Sequence, residues 1–104
     1  MNEITVQELK SKIDHKENFQ LIDVRETHEY ELGQIPGSKH IPMGEIMNHL
    51  DEIKKDVPVY LQCRSGARSG AVLNALTGQG YTNLYNVKGG IKAWSEEIDN
   101  NVKF

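Results

Sequence analysis

The chain of 104 residues contains one cysteine, Cys63. A single thiol excludes an internal disulfide, a CxxC redox pair and any cysteine-rich zinc site. Histidine does not fill that gap. His15, His28, His40 and His49 are scattered without metal-ligand spacing, so no metal site is expected. No apolar run approaches the ~20 residues needed to cross a bilayer, so no membrane association is expected. The amino terminus, Met1-Asn2-Glu3-Ile4-Thr5-Val6, has neither a basic nor an apolar leader region, which argues against a secretory signal. Excess positive charge is missing too. A formal net charge of -3 disfavours a general nucleic-acid binder, because phosphate backbones reward positive surfaces. Repeats, low-complexity segments and linkers are absent. The expectation is one domain over residues 1–104, in a reduced, cytoplasmic setting.

The residues present, 38% hydrophobic and 26% charged, are those of an ordinary globular protein. Thr5-Val6-Gln7-Glu8 is a capping-box sequence, and Val6, Leu9 and Ile13 then fall on one helical face. Glu3-Ile4 ahead of it reads as a short edge strand. Phe19–Val24 reads as a buried strand ending in Arg25-Glu26, with a brief helical turn through His28-Glu29-Tyr30. Turn residues at Gly33–Gly37 precede a short strand at Ser38–Ile41. Ile46, Met47, Leu50 and Ile53 repeat at helical spacing, predicting a helix between Met43 and Ile53. A strand at Val57–Gln62, a helix from about Arg68 to Gln79, a strand at Leu84–Val87 and a terminal helix carrying Ile91, Trp94 and Ile98 complete the chain. Strands alternating with helices predict an α/β fold with a parallel sheet covered on both faces. The site in such a sheet lies outside the carboxyl ends of the strands, where the turns Val24–Glu29, Gln62–Ser69 and Val87–Gly90 meet.

Cys63 stands in the middle one of these turns. The apolar strand before it runs into Arg64-Ser65-Gly66-Ala67-Arg68-Ser69, and good helix formers follow. A strand–loop–helix junction points successive N–H groups at one spot and adds the positive end of the helix dipole. A cysteine at a strand end is often only a small buried hydrophobe. With two arginines and a glycine beside it, the better reading is a thiolate nucleophile next to an anionic ligand. Arg64 and Arg68 offer guanidinium forks to that anion, with Arg68 also placed to shape the start of the helix. Ser65 and Ser69 can each either bond the sulfur or cap the helix. Gly66 lets the backbone curl and bring its N–H groups inward.

Several segments taken in order resemble the rhodanese-like domains, a family of sulfurtransferases. The matching pieces are Leu21-Ile22-Asp23-Val24-Arg25-Glu26, Glu29-Tyr30 with Gly33, and Ile35-Pro36-Gly37. Further on come Cys63-Arg64-Ser65-Gly66-Ala67-Arg68-Ser69, Gly80-Tyr81, and Val87-Lys88-Gly89-Gly90-Ile91 followed by Ala93-Trp94. Together they span nearly the whole chain. One departure is Gln34, where the family commonly has histidine before the Ile-Pro-Gly turn. The resemblance implies a three-layer α/β/α fold with a five-stranded parallel sheet and a persulfide-forming cysteine after the fourth strand. It implies that Cys63 attacks the outer sulfur of thiosulfate or a similar small anionic donor, with the loop Arg64–Ser69 binding that substrate. A covalent cysteine persulfide then takes the place of any cofactor.

Asp23, Arg25, Glu29, Gly89 and Gly90 are expected to support the site, with Arg25 pairing with Glu29 or Asp23 to clamp a loop. With no second cysteine to resolve a persulfide, an external acceptor is needed: cyanide as a test nucleophile, a thiol or dithiol protein as a natural one. Cys63 to Arg68 reads C-x4-R, one residue shorter than the C-x5-R loop of cysteine phosphatases, which disfavours phosphatase or arsenate reductase chemistry. A carrier that takes sulfur from a desulfurase and hands it to a partner protein would use the same Cys63, so both readings stay open.

Overall fold

The computed structural model describes all residues, Met1–Phe104. Five strands, β1 (Glu3–Ile4), β2 (Gln20–Asp23), β3 (Lys39–His40), β4 (Val59–Gln62) and β5 (Leu84–Val87), form one sheet in the order β1-β5-β4-β2-β3. Every pairing is parallel. Four α-helices, α1 (Val6–Asp14), α2 (Thr27–Leu32), α3 (Ala67–Gly78) and α4 (Gly90–Glu97), connect and cover the strands. The fold is α/β, as the alternation of elements predicts, with the five parallel strands implied by the resemblance.

The side-chain alternation of the central strands sorts the core into two layers. Val59, Leu61 and Cys63 join Ile22, Val24 and α3 residues Val72, Leu73 and Leu76 on one face. Tyr60 and Leu21 point the other way, to Leu9 of α1 and to Ile91 and Trp94 of α4. All four residues of β4 are buried, which explains why it reads as a continuous apolar run. The start of α1 is fixed by the capping box legible in the sequence. Thr5 Oγ1 accepts from the Glu8 N–H at 3.1 Å, and Glu8 Oε1 accepts from the Thr5 N–H at 3.0 Å.

One element differs from the sequence reading. The segment expected as a helix from Met43 to Ile53 is two 3-10 stretches, Met43–Asn48 and Leu50–Glu52. Its bonds close over three residues, from Glu45 N–H to the Pro42 carbonyl and from His49 N–H to the Ile46 carbonyl. Only Ile46 and Ile53 are buried, while Met43 and Met47 are 39% and 47% exposed. With so narrow an apolar face, packing does not supply what an α-helix of this length needs.

The topology places the site. The chain leaves β2 toward the β3 edge and leaves β4 toward the β5 side, so the adjacent strands β2 and β4 mark a switch point. A crevice opens there, at the carboxyl ends of the strands. The loops after β2, β4 and β5 surround it.

Candidate active site

Cys63 follows β4 directly and is 1% exposed. Its sulfur accepts hydrogen bonds from the Gly66 N–H at 3.1 Å and the Ser69 N–H at 3.4 Å, and lies 3.3 Å from the Ser69 hydroxyl. The curl that makes this possible is at Gly66, whose φ of 109° is closed to most side chains. Gly66 is also the N-cap of α3 and no side chain caps that end, so neither Ser65 nor Ser69 serves as a helix cap. Ser69 sits against the sulfur, and Ser65 is exposed. Burial, the largest single influence, pushes the thiol pKa up. The Ser69 hydroxyl and the N–H groups of Ser69, Gly66 and Ser65 together outweigh it and leave Cys63 below its ordinary 9.0.

The loop is held from behind by α4. The N–H groups of Ile91 and Lys92 donate to the carbonyls of Cys63 and Arg64 at 2.9 and 3.0 Å. Gly90 makes this approach possible. A Cβ there would collide with those same two carbonyl oxygens, and the φ of 59° is itself left-handed. Gly89 forms the N-cap of α4 beside it.

The two loop arginines have different surroundings. Arg68 makes a two-point contact with the Glu29 carboxylate of α2, at 2.6 and 2.9 Å. That guanidinium holds the Glu29 carboxyl down at about 2, aided by the Glu26 N–H and opposed by burial. Arg64 has no carboxylate within salt-bridge reach and lies over the Phe104 ring, 5.0 Å from its centroid. Arg64 and Ala67 are exposed, and Arg68 is half-buried.

Behind the crevice, Arg25 is fully buried and paired with the equally buried Asp23. Its Nε and Nη2 donate to the Asp23 carboxylate at 3.0 and 2.8 Å. Nη1 donates to the Glu29 carbonyl at 3.1 Å and Nη2 also to the Gly33 carbonyl at 2.7 Å, fastening α2 and its C-cap to the turn after β2. Arg25 therefore clamps the loop through the Asp23 side chain and the Glu29 backbone, leaving the Glu29 carboxylate to Arg68. His40 makes no hydrogen bond to the sulfur: its Nε2 donates to the Arg25 carbonyl at 2.7 Å, and its ring stacks on Tyr30.

Two residues at the site have no signal in the loop sequence. Asn86 of β5 reaches both Ser69 and the Gly66 carbonyl. Phe104 supports Arg64. No group of three or more histidine, cysteine or carboxylate side chains gathers as a metal site, and no helix is long and apolar enough to cross a membrane.

The chain is thus a small parallel α/β domain with a donor-ringed cysteine at the switch point of its sheet. Residues 5–97 match the rhodanese-like domain, and the chain belongs to that family. The putative sulfurtransferase YtwF of Bacillus subtilis is 42% identical over 97 residues, covering 93% of each chain. The putative sulfur carrier protein YrkF of the same organism is 37% identical, covering 93% of this chain and 52% of its own. A rhodanese-like domain protein of Staphylococcus aureus superposes with a TM-score of 0.86 at 38% identity, covering 94% of this chain and 95% of that one. The chain spans 63% and 52% of the lengths of YqhL and YrkF, two of the Bacillus subtilis relatives it matches. The relatives carry two kinds of name, sulfurtransferase and sulfur carrier, on the same rhodanese-like domain.

Proposed function

We propose that Cys63 carries sulfane sulfur as a persulfide, taken from thiosulfate or a similar small anionic donor and passed to a thiol, a dithiol protein or, in the test tube, cyanide. The observation behind this reading is the ring of donors on the Cys63 sulfur from Gly66 and Ser69, at the mouth of the β2–β4 crevice. In the first half-reaction the Cys63 thiolate attacks the outer sulfur of thiosulfate. A new S–S bond forms, the bond to the sulfonate sulfur breaks, and its electron pair leaves with sulfite. In the second, the acceptor nucleophile attacks the outer persulfide sulfur, and the bonding pair returns to Cys63 as thiolate. The lowered thiol pKa favours the anion, and the reading assigns no side chain as a general base.

Arg64, exposed and lacking a carboxylate partner, is the loop cation left free to turn to the sulfonate oxygens and steady the charge that gathers on departing sulfite. Arg68 is shared with Glu29, so its part is to shape the loop and add positive potential near the sulfur. That pairing occupies the arginine that a phosphatase loop would turn to phosphate, which weighs against phosphatase chemistry. Thiosulfate:cyanide turnover by the whole chain tests the reading. Thiocyanate formation that disappears in Cys63→Ser supports it. A protein that forms no thiocyanate, yet accepts sulfur from a persulfide-bearing protein, would favour the carrier reading that YrkF's name supports.

A further inference from the structure

Asn86, on the strand next to β4, closes a hydrogen-bonded ring around the Cys63 sulfur. Its Nδ2 donates to the Gly66 carbonyl at 3.0 Å, and its Oδ1 lies 2.6 Å from the Ser69 hydroxyl oxygen. That oxygen is 3.3 Å from the Cys63 sulfur, and the Gly66 N–H is 3.1 Å from the same atom. Both Ser69 and Asn86 are buried. With Nδ2 committed to a carbonyl, the amide turns Oδ1, an acceptor only, toward Ser69.

A serine hydroxyl has one proton. While Cys63 is a neutral thiol, the ring is satisfied: S–H donates to Ser69 Oγ, and Ser69 O–H donates to Asn86 Oδ1. Once the sulfur is ionised, two acceptors claim the same proton. If the hydroxyl turns to sulfur, Asn86 Oδ1 faces a bare oxygen lone pair at 2.6 Å. If it stays on Asn86, the serine lone pairs face the anion. The N–H groups of Gly66 and Ser69 support the thiolate either way, so only the hydroxyl's contribution is conditional.

We propose that Asn86 is a positioning residue that competes with Cys63 for the Ser69 proton and so limits how far the Ser69 hydroxyl supports the ionised sulfur. The proposal rests on Cys63 being the nucleophile and adds a residue that touches neither donor nor acceptor. It also has a chemical use, since a thiol that is not over-acidified keeps more of its nucleophilicity. The charged groups around the loop are Arg68 with its partner Glu29, Arg64, Lys88 after β5, and the buried Asp23–Arg25 pair. None of them changes in the test below, so their influence cancels.

The test is a double-mutant cycle on the Cys63 pKa, read from the pH dependence of iodoacetamide alkylation. The proteins are the unmodified chain, Ser69→Ala, Asn86→Ala and the double variant. Ser69→Ala should raise the pKa less in the unmodified background than in the Asn86→Ala background, because Asn86 shares the hydroxyl proton with the sulfur. Asn86→Ala should lower the pKa by roughly half to one unit, and adding Ser69→Ala should reverse that drop. Equal Ser69→Ala shifts in the two backgrounds overturn the proposal. So does a raised pKa in Asn86→Ala that persists in the double variant, which would make Asn86 only a tether for the Gly66 carbonyl. Asn86→Leu, closer in volume, replaces Asn86→Ala should the latter not fold. The comparison of the two Ser69→Ala shifts, with either Asn86 variant, decides. The cycle reads the thiol whatever donor it serves. Failure of sulfur loading would therefore sink the proposed function while leaving this coupling standing.

Discussion

The Arg68 guanidinium of α3 grips the Glu29 carboxylate of α2 at two points, bridging the crevice between the loops after β2 and β4. The contact ties the helix that begins at the Cys63 loop to the helix that Arg25 fastens from below. It also removes Arg68 as an independent anion site, which divides the two arginines into one structural and one free.

That division has a kinetic consequence. Arg64→Ala should raise KM for thiosulfate about tenfold or more, the cost of one lost charge-assisted contact, while the melting temperature stays nearly unchanged. Arg68→Ala should show the reverse weighting, with a lowered melting temperature and a smaller rise in KM. The idea fails if Arg64→Ala leaves KM untouched and Arg68→Ala alone raises it.

The same ion pair makes stability depend on acid. Glu29 titrates at about 2 when folded against an ordinary 4.5, chiefly because of Arg68. The folded state thus binds fewer protons than the unfolded chain between these values. Its stabilisation is fully present above pH 4.5 and is lost as pH falls toward about 2. After allowance for solvent screening the contribution is on the order of 1–2 kcal/mol. Denaturant titrations at pH 7 and pH 3 should show a smaller difference for Glu29→Gln than for the unmodified protein. An equal difference in both would remove Glu29 from the account.

Arg25→Ala strands the buried Asp23 carboxylate and two carbonyls. The expected loss is about 3–5 kcal/mol, seen as a lowered melting temperature. Unchanged stability with lost sulfur transfer would instead make Arg25 a substrate contact and contradict the clamp.

Gly90→Ala tests the backing of the loop. The added methyl meets the Cys63 and Arg64 carbonyls, and the left-handed backbone adds strain of roughly 1–3 kcal/mol. The loop should shift, and alkylation of Cys63 at neutral pH should slow as the N–H donors lose their aim. Normal alkylation together with normal stability would show that α4 does not set the loop geometry.

How much of this was legible in the sequence follows the range of each contact. The Thr5–Glu8 capping box and the Cys63–Ser69 loop are local, so their residues stand side by side and their chemistry can be read directly. The Arg25–Asp23 pairing was legible as one of two alternatives, because both partners flank one strand end. Asn86 was not legible. It looks like an ordinary strand residue until the parallel register of β5 beside β4 brings it to Ser69. Phe104 reaches Arg64 only because the tail folds back past α2, where its neighbour Lys103 packs on Gly33. The 3-10 stretches at Met43–Glu52 mislead for a related reason, since spacing shows which residues share a face but not whether anything covers it.

The most direct test of the central claim is the intact mass of the protein after brief incubation with thiosulfate, measured beside Cys63→Ser. The account predicts a gain of one sulfur atom that is absent in the variant and removed by cyanide. A sulfur gained equally by Cys63→Ser, or no gain from thiosulfate or from any persulfide-bearing protein donor, would contradict it.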